Sequence, residues 1–128
     1  QDGFKVLIPE VDAWGAEKAW EKLIRGYDGK TSKVSKTEDL ESVNVLIPSI
    51  EDTAIVVYSN FNQTPEGVYM NVFFGSHGTY FNNASSKSAA INKLLKEFAR
   101  ITAYDAVNER LENEAKQLEK LEKEQRGL

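Results

Sequence analysis

The chain has no cysteine, one histidine and no surplus of positive charge. Without cysteine there is no disulfide framework, no thiolate nucleophile and no thiolate metal site. Sixteen Lys and Arg against twenty Asp and Glu leave a net charge of −4 at pH 7, and the basic residues are scattered. That distribution offers no footprint for gripping a phosphate backbone, so nucleic acid is not an expected partner. No apolar run approaches the ~20 residues that a membrane span needs, and no leader with a basic start and apolar middle is visible. The first residue is Gln1, not Met. This fits the mature product of signal cleavage, hence a periplasmic or secreted protein, and it equally fits a shortened cytoplasmic chain.

What is present suffices for one domain. The 128 residues are 41% hydrophobic, but the stretch from Asp105 onward is far more polar than the rest. The core must therefore come from residues 1–104, a head domain, with 105–128 as a helical extension continuous with the last helix.

Phe4-Lys5-Val6-Leu7-Ile8, halted by Pro9, reads as a first strand. Asp12 offers an N-cap to an amphipathic helix carrying Trp14, Ala16, Ala19, Trp20, Leu23 and Ile24, which Gly26 or Gly29 ends. The spacing predicts core positions for both tryptophans. The period then switches to two. Val43/Val45/Ile47, Ile55/Val57 and Val68/Met70/Val72/Phe74 predict strands, and residues 30–36 predict a polar edge strand guarded by lysines. The stretch 62–67 reads as a hairpin connection.

Ser85 or Ser86 can cap a last helix with Ile91, Leu94, Leu95, Phe98, Ile101 and Tyr104 on one broad face. No Gly or Pro interrupts residues 87–126, so the helix is expected to continue with a narrower stripe through Val107, Leu111, Ala115, Leu118 and Leu121. Leu111, Leu118 and Leu121 keep a heptad step and form the candidate helical seam, a short coiled coil in which Glu114 and Gln125 also occupy seam positions. The fold class is α+β: an antiparallel meander sheet packed against two helices.

This order of elements, β-α-β-β-β-β-α over residues 4–104, resembles the TATA-binding-protein-like fold. It is similar in particular to small bacterial domains of unknown function assigned to that fold, several from exported proteins. The resemblance implies architecture only and transfers no functional residue, and DNA binding is not implied without a basic concave surface. A helix-grip lipid-binding fold competes, but needs more sheet and a longer chain to enclose a cavity.

No catalytic constellation is legible. His77, in Gly75-Ser76-His77-Gly78-Thr79, lacks an orienting acid and a nucleophile in sequence, as well as metal-ligand partners, and reads as a solvated loop residue. The same loop lacks the lysine and longer glycine pattern of a phosphate loop. Glu38, Asp39 and Glu41, like Glu51 and Asp52, lack calcium-loop spacing. Asn62-Gln63-Thr64 and Asn83-Ala84-Ser85 match the short N-glycosylation pattern, and Asp52-Thr53-Ala54 an O-linked acceptor triplet. No cofactor and no metal is expected.

The most informative feature is a meander apolar on both faces. If Val68, Met70, Val72 and Phe74 face the helices, period two turns Tyr69 and Phe73 away, with Val56 and Tyr58 beside them. Tyr58, Tyr69 and Phe73 are the candidate partner surface. The function expected is a non-catalytic interaction module: a head that binds an unknown protein partner, and a tail that self-associates or spaces the head. The alternative is a domain binding a small apolar ligand in the sheet–helix cleft, lined by Trp14, Trp20 and tyrosines.

Overall fold

The computed structural model describes residues 3–76, 78–82 and 84–127. Strand β1 (Phe4–Ile8) leads into helix α1 (Ala13–Gly26), followed by strands β2 (Lys30–Lys33), β3 (Leu40–Val45), β4 (Ile55–Thr64), β5 (Gly67–Ser76) and β6 (Thr79–Tyr80), and by helix α2 (Ser88–Arg126). The protein is α+β, with these six strands in one antiparallel sheet. Strands β2 to β5 form the meander and β1 pairs with the far side of β5, giving the order β1-β5-β4-β3-β2. Strand β6, which periodicity left inside a loop, pairs with the end of β5 through Gly75↔Tyr80 and Ser76↔Thr79. Two residues are too few for alternation to register.

Both helices lie on one face. Val68, Met70, Val72 and Phe74 of β5, with Ile55 and Val57 of β4, turn toward them and are fully buried. Helix α1 covers the β2–β4 half and α2 the β1 side. Trp20 and Phe98 join the two helices edge to face, with centroids 5.0 Å apart. Trp14, expected in the core, is instead 69% exposed. Six residues at 100° each place it about 120° from the α1 stripe of Ala16, Trp20 and Ile24, outside the arc the sheet can cover.

The row Val43/Val45/Ile47 is also broken. A bulge lies between Ser42 and Val45, with Asn44 left-handed at φ 57°. The bulge returns Val45 to the core after Leu40 and Ser42, while Val43 stays half-buried opposite Lys30. The β4–β5 hairpin is tighter than the turn residues suggest, because Asn62, Gln63 and Thr64 continue β4 and only Pro65 and Glu66 make the turn. Thr64 Oγ1 donates to the Gly67 carbonyl at 2.9 Å and accepts from the Glu66 amide at 3.2 Å.

Asp12 caps α1 as expected, its Oδ1 accepting from the Gly15 amide at 2.7 Å. Gln63 Oε1 accepts from the next free amide, Ala13, at 2.8 Å, so the hairpin is fastened to the start of α1. At α2 the expectation differs. The helix starts at Ser88, and Ser85 caps a preceding turn by accepting from the Lys87 amide at 3.0 Å. Further along, Arg110 holds α2 to the β1–α1 turn, donating to the Glu10 carbonyl at 3.0 Å and to its carboxylate at 2.6 Å. From Leu111 to Gly127 every residue is exposed.

Candidate interaction surfaces

The sheet face opposite the helices carries the three aromatic residues singled out from the sequence. Register places Tyr58 directly across from Phe73, Asn60 across from Asn71, and Asn62 across from Tyr69. These are successive pairs on one side of the sheet, so Tyr69 stands four residues, ~13 Å, along β5 from Phe73. All three aromatics are half-buried. Leu7 and Lys5 of β1 lie beside Tyr69 and Asn71, and the Lys5 ammonium is 4.9 Å from the Tyr69 ring centre.

Tyr80 is a fourth member that periodicity missed. Strand β6 brings its ring to 6.2 Å from Tyr58 and 6.5 Å from Phe73. Two glycines make room for this cluster. A Cβ on Gly3 would lie 2.7 Å from the Phe73 ring, and one on Gly75 would lie 2.9 Å from the Tyr80 ring. Each ring thus covers bare glycine backbone, Phe73 just before β1 and Tyr80 on β5. The pattern Gly75–Tyr80 is visible in the sequence only once the β5–β6 hairpin is known.

Acids fix the phenols at the rim. Tyr58 donates to Glu41 Oε2 at 2.6 Å across the β3–β4 pair. That hydrogen bond, reinforced by partial burial, pushes the Tyr58 phenol up from 10.0 to about 12. The charge of Glu66, with a 3.3 Å hydrogen bond, raises Tyr69 as well. A phenol whose folded pKa is raised favours the folded state below the unfolded value and loses that contribution as pH climbs through the folded value. In an ultraviolet titration Tyr58 should therefore ionise near pH 12, and Glu41→Gln should return one tyrosine toward 10.0. An unchanged titration curve would mean the Tyr58–Glu41 bond does not persist in solution.

The network of Asn60, Asn62 and Asn71 is internally bonded, with both neighbours donating to Asn60 Oδ1 at 3.1 and 3.0 Å. The outward amide groups that remain can hydrogen-bond a partner between the aromatic positions.

The second surface is the outer side of α2. Leu111, Leu118 and Leu121 are 58–60% exposed, and Tyr104 is 64% exposed. At 3.6 residues per turn, Tyr104 and Leu111 lie about half a turn round the helix from Leu95, which is buried against the head. The seam thus faces away from the sheet and starts beside the head. Near it, α1 and α2 leave a groove of about 530 Å³ with apolar walls of Ala19, Leu23, Leu94, Phe98 and Ile101, and with Lys22, Glu97 and Asp105 as its charged lining.

A third, larger hollow of about 840 Å³ opens between the β1–α1 turn, the hairpin and α2, and Trp14 stands at its wall. Several of its polar groups are engaged with other residues: Asp12 and Gln63 cap α1, Arg110 pairs with Glu10, and Lys18 lies 5.4 Å from the Trp14 ring centre. The space between sheet and helices is filled by Trp20 and its neighbours, and Tyr58, Tyr69 and Tyr80 lie on the opposite face of the sheet. They do not line a sheet–helix cleft.

Among the described residues no three His, Asp or Glu side chains group where they could hold a metal ion. Glu38 pairs with Lys33 at 3.5 Å, and Glu51 with Lys87 at 3.2 Å. Asn62 of the first glycosylation triplet sits in β4, while His77 and Asn83 lie outside the described residues. No helix of the described residues is long and apolar enough to cross a membrane. Comparison with models of protein families, with curated proteins and with solved structures finds no match to this chain.

Proposed function

We propose that the protein is a non-catalytic interaction module whose head offers its open sheet face to a protein partner and whose α2 tail associates with another copy. The observation that carries the reading is the aromatic group of Tyr58, Phe73 and Tyr80, with Tyr69 beyond it, on the face away from both helices. These rings are half-buried apart from Tyr80, 43% exposed, and aromatic side chains partly open to solvent on a sheet face are characteristic of contact sites, where Tyr and Phe supply area at small entropic cost. The reading includes a TATA-binding-protein-like architecture, and the order of elements supports it, since both helices lie on one side of the sheet and leave the other face without a helix.

A coiled-coil tail is the second part of the proposal. Seventeen exposed residues from Leu111 to Gly127 bury nothing on their own. A pair such as Glu119–Lys123, at 3.4 Å, adds only ~0.3–0.5 kcal/mol to an isolated helix. Leu111, Leu118 and Leu121 have a reason to be leucine if another helix covers them.

Two measurements test the two parts. Tyr69→Ala and Phe73→Ala should each cost under ~2 kcal/mol of unfolding free energy, against ~3–5 for the buried Phe74→Ala. If either costs as much as Phe74→Ala, the face is core and not a docking surface. Light scattering on residues 1–128 should reveal a concentration-dependent dimer that a chain ending at Arg110 does not form. Monomers in both cases would remove self-association from the reading.

A further inference from the structure

We infer that the self-association is antiparallel, the tail of each copy lying in the α1–α2 groove of the other. This rests on the proposed self-association and specifies its geometry. The apolar stripe of α2 does not stop at the head: Leu94 and Ile101 continue it backward from Tyr104 and Leu111, and Leu118 and Leu121 carry it to the tail. From Leu94 to Leu121, 27 residues at about 100° each make about 7.5 turns, so the stripe winds from the groove at one end to the opposite side of α2 at the other. Ile101, 48% exposed, is where groove and stripe meet.

A helix following this stripe lies first between α1 and α2 and then along the bare tail. The part of the protein shaped to enter the groove is the tail itself, exposed on all sides from Leu111 onward. The upper part of α2 is flanked by α1 and the sheet and cannot enter. Antiparallel order brings bare tail to groove twice, under one two-fold axis, which makes the surface self-complementary. Parallel order sets the two heads side by side and leaves both grooves empty. It also opposes Glu114 to its own copy in the seam, two like charges at a position that favours apolar packing.

Length points the same way. The tails alone offer little more than two heptads, short of the three or four that sustain a coiled coil. Pairing Leu94 with Leu121 of the other copy engages the whole stripe, ~40 Å of helix.

The chain's lack of cysteine makes the test direct. Lys123→Cys, exposed and off the seam, is spin-labelled in the full-length protein and the label-to-label distance is measured by pulsed electron resonance. Antiparallel pairing of Leu94 with Leu121 puts the two labels ~45 Å apart. A parallel pair puts them ~20 Å apart, the interaxial spacing plus two side chains, and overturns the inference while keeping the dimer. Ile101→Glu provides a second readout at a position outside the tail. With the groove occupied, it weakens dimerisation about tenfold or more while circular dichroism shows an intact fold. A tail-only pair would keep its affinity within about twofold, the usual range for a substitution outside the contact, and so overturn the inference. Monomers at every concentration would overturn the self-association itself, leaving the stripe to a helix of another protein.

Discussion

Trp20→Ala should unfold the protein more readily than a change at any exposed position, lowering the unfolding free energy by ~3–5 kcal/mol in a denaturant titration. Trp20 is fully buried, and its ring packs edge to face on Phe98 at 5.0 Å, so truncation opens a cavity where α1, α2 and the sheet meet. The loss is one of volume and packing: the indole Nε1 is buried with no hydrogen-bond partner. Trp20→Phe should for that reason cost distinctly less than Trp20→Ala, because it keeps most of the ring and removes a desolvated donor. Trp14→Ala is the control, expected within ~0.5 kcal/mol of the parent at its exposed site. Equal losses at Trp14 and Trp20 would show that the arrangement of α1 on the sheet is different.

The second large effect is expected at Gly67. This residue opens β5 with φ 140°, a conformation other residues rarely adopt, and a Cβ there would lie 2.5 Å from the Ile8 carbonyl oxygen and 2.9 Å from Pro9 Cα. Backbone on both sides leaves no flexible side chain to yield. Gly67→Ala should cost ~2–4 kcal/mol, combining dihedral strain with displacement of the β1 end from β5. Gly26→Ala, with nothing within 4 Å of the added carbon, serves as the comparison and should be near neutral or slightly stabilising. Near-neutral behaviour of Gly67→Ala would contradict the close approach of the hairpin to β1.

The positions of these two residues mark how far local pattern reaches. The 3.6-residue spacing of Ala16, Trp20 and Ile24 and the alternation of Val68, Met70, Val72 and Phe74 state which side of each element is apolar, and those sides are buried. Trp14 shows the limit, because a large apolar residue within a helical window need not lie in the buried arc. The bulge at Asn44 shows another: one inserted residue shifts a strand's period, and only pairing with β4 reveals it. Strand β6 is too short to carry a period, so Tyr80 joined the aromatic face without a sequence signal.

The candidate surfaces divide in the same way. That Tyr58, Tyr69 and Phe73 leave the helix side follows from alternation within single strands. Their meeting in one field requires the β4–β5 register, the covering of Gly75 by Tyr80 requires the short β5–β6 hairpin, and the covering of Gly3 by Phe73 requires β1 and β5, distant in sequence, to be neighbours. The heptad spacing of Leu111, Leu118 and Leu121 is legible in the chain. Which way that seam faces is not, since it depends on the rotation of α2 fixed by Ile91, Leu95 and Phe98 against the head and by Arg110 on Glu10.

Sequence alone thus determined the α+β class, the buried side of the principal strands and helices, and the uninterrupted run of the last helix, because each depends on the periodicity of neighbouring residues. Tertiary structure decided the β1-β5 pairing, the bulge, the exposure of Trp14, the aromatic cluster and the groove beside α2. Those features depend on which distant segments share an edge or a face, and that is settled by the combined burial and hydrogen bonding of the whole chain, which no local window contains.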